Sequence, residues 1–143
     1  MTNWTPRDTT THQDHVIAHV LGATFLGYFV FDEVLYVLLD IGFVWSIFLD
    51  GEMGLLPHPV ATAELAVSDE TRSEIGADID NLLAHKLHAE ELRHLTQPKV
   101  ECVITEVSFF ASGERRRLVV TGEDANLTIE TSIETAEIRV YEF

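Results

Sequence analysis

Residues 85–94 read HKLHAEELRH and place His85, His88, Glu91 and His94 at even steps of three. Imidazoles and a carboxylate are groups that ligate transition metals or move protons near neutral pH. On a helix, each step of three turns about 60° backwards, so the four groups spiral round the axis and do not converge on one ion. His85 and His88 alone supply two ligands, and a structural site normally closes with about four. The segment therefore reads as a solvated helix face, with no metal site and no cofactor assigned. His12, His15 and His19 follow an i, i+3, i+7 pattern that aligns only if their segment is helical. His58 lies between Pro57 and Pro59 and reads as a turn residue.

The sequence contains no phosphate loop, G-x-G-x-x-G turn, CxxC pair, H-E-x-x-H, G-x-S-x-G or calcium loop. Asp78-Ile79-Asp80-Asn81 has the acid alternation of a calcium loop but lacks its glycine and closing glutamate. Arg115-Arg116-Arg117 is the one basic run. It reads either as an anion-binding patch or as the partner of neighbouring carboxylates.

The elements that would position these groups are clearest at the C-terminal end. Four β-rich runs are separated by Ser112-Gly113, by residues 123–126 and by Glu134-Thr135. Treated as hairpin turns, these pair Ala111 with Glu114, Gly122 with Leu127 and Ile133 with Ala136. All three turns then agree on one dry face: Val103, Val107, Phe109, Leu118, Val120, Leu127, Ile129, Ile133, Ile138 and Val140. The other face collects Glu106, Arg115, Arg117, Glu130, Glu137 and Arg139, with Glu130 opposite Arg139. Such alternation defines a half-buried antiparallel meander. Val100, Cys102, Ile104, Tyr141 and Phe143 form an apolar corner on the wet face, of a kind that is normally covered.

Upstream, Ser68 and a run of early acids open a helix over residues 69–87, with an apolar arc at Ile75, Ile79, Leu82, Leu83 and Leu87. That arc is expected to lie on the meander's dry face. Residues 16–31 are β-rich, although the first half also fits a helical period. Asp32 can cap a short helix over EVLYVLLDI, with Gly42 at its end. FVWSIFL then reads as a strand, Asp50-Gly51 as a hairpin turn, and Pro59 as the start of a short helix. The expected fold class is α+β: a helix packed on a four-stranded antiparallel C-terminal meander, with an N-terminal β-α-β-hairpin region extending or flanking the sheet. Residues 1–14 are expected as a loosely ordered polar tail and 15–143 as one domain.

Twenty-four acids against nine bases give a formal charge of −15. Such a chain repels nucleic-acid phosphates and anionic lipid, so neither nucleic acid nor membrane is expected as a partner. The apolar stretch 16–49 is broken by Asp32, Glu33 and Asp40 into runs shorter than a span of about 20 residues. The single cysteine, Cys102, excludes an internal disulfide, and no apolar leader opens the chain, which together point to the cytoplasm. The expectation is a non-enzymatic, acidic cytoplasmic interaction protein that binds a protein partner, a basic one above all. It is also expected to form a homodimer through the corner at Ile104, Tyr141 and Phe143, beside Arg117 and Arg139. The alternative is a small-molecule or metal-dependent enzyme using His15, His19, His58, His85 and His88.

Overall fold

A computed structural model of the chain describes residues 3–142. A short strand, β1 (Thr5–Pro6), and a helix, α1 (Thr11–Val20), come first. The polar segment expected to hang loose is instead held. β1 pairs with Phe110 and Ala111. Thr10 and Gln13 form a reciprocal capping box at the start of α1, which satisfies two helix-end donors. The helical alternative is therefore the one realised for residues 11–20. Val16 and Val20 point into the core, while His12, His15 and His19 lie on exposed positions.

Four antiparallel strands follow: β2 (Thr24–Phe31), β3 (Val34–Leu39), β4 (Phe43–Phe48) and β5 (Met53–Pro57). The expected helix over EVLYVLLDI is β3. Asp32 and Glu33 do not cap a helix. Both have positive φ, 48° and 64°, as a two-residue type I′ hairpin turn requires. The strand shows no polar alternation because both of its faces are covered: Leu35, Val37 and Leu39 enter one core and Leu38 the other. The N-terminal region is thus a helix and a four-stranded meander rather than a β-α-β hairpin.

Next come α2 (His58–Ala63) and α3 (Asp69–His85), the latter capped by Ser68, whose hydroxyl accepts from Thr71 N at 3.1 Å. A single 3₁₀ turn over Lys86–His88 ends the helical part. The chain closes with β6 (Cys102–Ser112), β7 (Arg115–Gly122), β8 (Asn126–Ser132) and β9 (Glu137–Glu142). The observed pairs are Ser112 with Arg115, Thr121 with Asn126 and Ser132 with Glu137. Relative to the expected register, the first two turns are offset by two residues. An even offset preserves the faces of the paired strands, so Leu118, Val120, Leu127 and Ile129 lie fully inside, whereas Ile133, expected on the dry face, is exposed in the β8–β9 turn.

All strands belong to one sheet in the order β5-β4-β3-β2-β6-β7-β8-β9, with β1 on the free part of the β6 edge. The strand ladders of the two halves join where Thr24 pairs with Val103 and Phe25 with Cys102. Each junction strand carries one extra residue there, Leu26 in β2 and Thr105 in β6. Such bulges bend a strand and increase its twist. The sheet folds over at this seam, and its halves enclose one core containing Phe25, Val37, Trp45, Ile47, Ile104, Leu118 and Ile129.

The dry face of the C-terminal meander is therefore filled by the N-terminal strands, not by α3. Helix α3 lies on the opposite face of the N-terminal half, where Ile75, Ile79 and Leu82 meet Leu26, Leu38 and Val44. Gly27 permits this approach, since a Cβ there would stand 2.7 Å from Leu82 Cδ1. Leu87, counted in the expected arc, follows the helix end and is exposed.

The β4–β5 hairpin tip fastens the folded sheet. Gln13 Nε2 donates to Gly51 O at 2.9 Å, Thr131 Oγ1 to Leu49 O at 2.6 Å, and the Phe109 ring packs over Gly51. A Cβ on Gly51, at φ +89°, would lie 2.8 Å from Phe109 Cε2, whereas one on Gly113, at φ +60°, would meet nothing within 4 Å. Gly113→Ala should cost about 1 kcal/mol through its backbone alone, and Gly51→Ala about 2–4 kcal/mol because the ring must also move. Urea denaturation of both variants checks this; equal losses would show that Phe109 does not press on the tip.

Candidate functional site

The structure disperses the expected corner. The bulge at Thr105 reverses the parity of β6 before it, so Cys102 and Ile104 turn inward, 0% and 1% exposed, and Val103 is half-buried. Burial pushes the Cys102 thiol above its ordinary range. Tyr141 stays on the outer face of the meander, paired with Thr128, and Phe143 lies outside the described residues. Ile104 and Tyr141 therefore occupy opposite faces. β9 remains a sheet edge.

Arg117 and Arg139 are both on that outer face. Arg117 sits directly across from Glu130, and its Nε donates to Glu130 Oε1 at 3.0 Å. Arg115 Nη2 lies 3.6 Å from the other oxygen of Glu130. Trp4 covers both arginines, with guanidinium carbons 4.1 and 5.2 Å from its ring centroid. Arg139 pairs with Glu137 at 2.8 Å, although Glu130 is its cross-strand neighbour. Arg115 and Arg117 are thus tied to one carboxylate and to an aromatic ring, while Arg116 donates to the carbonyls of Gly113 and Arg115.

The histidines do not assemble. His12 Nε2 lies 2.9 Å from Met53 O and His58 Nδ1 3.3 Å from Gly42 O, so each ring rests on a backbone carbonyl. His85 and His88 are exposed at the end of α3, beside a cleft of about 250 Å³ with Phe25 and Leu26 among its lining residues. Among the described residues no three His, Cys, Asp or Glu side chains are grouped to hold a metal ion. No helix among them is long and apolar enough to cross a membrane.

His94 belongs to a different arrangement. Asp78, on the buried arc of α3 and 3% exposed, accepts from the backbone nitrogens of Arg93, His94 and Leu95 at 2.7–3.1 Å. Three oriented N–H groups hold the buried carboxylate, with the charge of Arg93 nearby. Nearby, Glu74 pairs with Arg93 and His94, and those hydrogen bonds hold its carboxyl below the usual range. The segment so anchored runs on to Thr96, which exchanges two backbone bonds with Tyr28, at 2.7 and 2.9 Å, on the edge of β2. Sequence reading passed over Asp78 as a fragment of a calcium-like pattern. The available signal was a carboxylate lying within the apolar arc of Ile75, Ile79 and Leu82.

The outer face of the N-terminal half is covered over only part of its length. Its cross-strand rows are Leu38–Val44–Leu56, then Phe29–Tyr36–Ser46–Gly54, then Phe31–Val34–Phe48. The helical layer covers Leu38 and Val44 of the first row. In the second row Phe29 and Tyr36 stack at 4.9 Å, whereas Ser46 and Gly54 are small. This leaves a hollow of about 180 Å³ between the sheet and α2, walled by Tyr36, Phe48, Leu56, Ala61 and Leu65, with Glu64 at its rim. Phe48 is 40% and Leu56 37% exposed. On the other side of Phe48 lies a second, wider hollow at the hairpin tips, lined by Val34, Leu49 and Ile133 together with Asp32, Glu33, Asp50 and Glu52. No Lys or Arg lines either hollow. Burial first, and the charges of Asp32 and Glu64 second, push the Tyr36 phenol above its ordinary range.

The geometry defines an α+β chain with an acid-rimmed apolar surface on one end of a folded antiparallel sheet. No family model, curated protein or solved structure matches the chain.

Asp78 gathers three backbone donors on one buried side chain. Asp78→Ala should lower the unfolding free energy by about 3 kcal/mol or more, because three backbone donors lose their acceptor. Asp78→Asn, which keeps one oxygen, should fall between. Chemical denaturation reads both; a change below about 0.5 kcal/mol in the alanine variant would show that water replaces the carboxylate freely.

Proposed function

We propose that this chain is a non-enzymatic, acidic interaction protein that binds a basic protein partner in a cytoplasmic setting. The observation that supports this reading is the partly exposed apolar patch at the hairpin tips, where Val34 and Phe48 of the N-terminal half and Ile133 of the C-terminal half lie among Asp32, Glu33, Asp50 and Glu52. Exposed apolar groups framed by polar ones are the composition of an interface, and a single sign of charge selects its partner. The net charge of −15 adds a long-range field of the same sign, which speeds encounter with a cation-rich surface and repels nucleic acid.

A lysine-rich peptide without aromatic residues tests the electrostatic part. Binding should weaken at least about tenfold between low and physiological-to-high salt as the Debye length shrinks. Glu33→Lys combined with Glu52→Lys should weaken it further. The same reversal at Glu123 and Asp124, in the turn between β7 and β8, alters net charge equally and should change affinity within about twofold. No binding, salt-insensitive binding, or equal effects of the two reversals would each contradict a partner site at the hairpin tips.

A further inference from the structure

We infer that the hollow between α2 and β4 seats one aromatic or aliphatic side chain from a lysine- or arginine-rich segment of a partner protein. This rests on the basic-partner reading and adds the anchor. The volume, about 180 Å³, is close to the roughly 150 Å³ apolar cavity that accepts a benzene molecule. The hollow exists because Ser46 faces outward between larger neighbours and pairs with Gly54, which has no side chain. Tyr36, Phe48 and Leu56 stand round it, so an entering ring meets apolar surface on several sides. A few centrally buried anchors, aromatic ones above all, carry most of the energy in protein contacts.

Charge decides the occupant. Glu64 sits at the rim, and beyond Phe48 the surface continues into Asp32, Glu33, Asp50 and Glu52. A second copy docked through the same surface would bring the same acids against them, and an anionic lipid surface would be repelled for the same reason. A cationic protein segment pairs with that rim while its apolar side chain enters the hollow. The acids steer and the anchor holds, a division of labour common at interfaces.

Fluorescence anisotropy with two labelled twelve-residue lysine-rich peptides tests the inference, one with a central Phe and one with Ala in its place. The Phe peptide should bind the wild-type protein about tenfold to a hundredfold more tightly, the range expected for burying one such side chain. Ser46→Phe, which fills the hollow from the surface, should bring both peptides to the affinity of the Ala peptide, with the far-ultraviolet spectrum of the fold retained. The peptide comparison on the wild-type chain needs no variant and stands if Ser46→Phe does not fold. Equal, salt-dependent binding of both peptides to the wild type would overturn the anchor and leave the basic-partner reading intact. Binding of neither peptide would overturn both. A preference for Phe that persists in folded Ser46→Phe would place the anchor elsewhere and overturn the assignment.

Discussion

Everything in this fold depends on a seam of two residue pairs. Thr24–Val103 and Phe25–Cys102 are the ladder contacts between the two four-stranded halves. A flat sheet joined there would expose both apolar faces. The extra residues, Leu26 and Thr105, bend the strands at the seam and turn the halves face to face. Cys102 and Ile104 are consequences of that bend, since the bulge beside them rotates both into the core. The tip of the β4–β5 hairpin then reaches the far half, where Thr131 and Phe109 receive it, and Gln13 fixes it from α1.

Closing the sheet on itself leaves α3 without a place on the C-terminal meander. Its apolar arc goes to the outer side of the N-terminal half, so those strands are buried on both faces, which is why they read as nearly continuous apolar runs. In the last row, Phe31–Val34–Phe48, the helical layer packs against Phe31 and leaves Phe48 exposed. Phe48 stands beside two hairpin turns that carry acids, and Leu56 is exposed on the edge strand β5. The proposed interaction surface is thus the part of a two-sided sheet that its helices do not cover.

How much of this was legible differs element by element. The faces of β7, β8 and β9 could be read because turn placements wrong by one residue at each end shift a hairpin by two, which preserves parity. The bulge at Thr105 could not, because one extra residue in a β-rich run leaves no compositional mark, and the corner built on Ile104 went with it. The strand at Val34–Leu39 was mistaken for a helix because double-sided burial erased its alternation and Asp32 resembled a cap. The apolar arc of α3 was plain, but an arc states that a face is buried and not what buries it. The hollow at Ser46 had no sequence signature, since it arises from small residues on two strands that only pairing brings together.

The central claim is that the two half-sheets face each other and α3 lies outside them. Nuclear Overhauser contacts in the folded protein test it most directly. The account predicts cross-peaks from the Phe109 ring to the α-protons of Gly51, and from the Leu82 methyl groups to those of Gly27. Absence of both, with Leu82 methyl contacts to Leu118 or Ile129 in their place, would put the helix on the C-terminal meander and contradict the account.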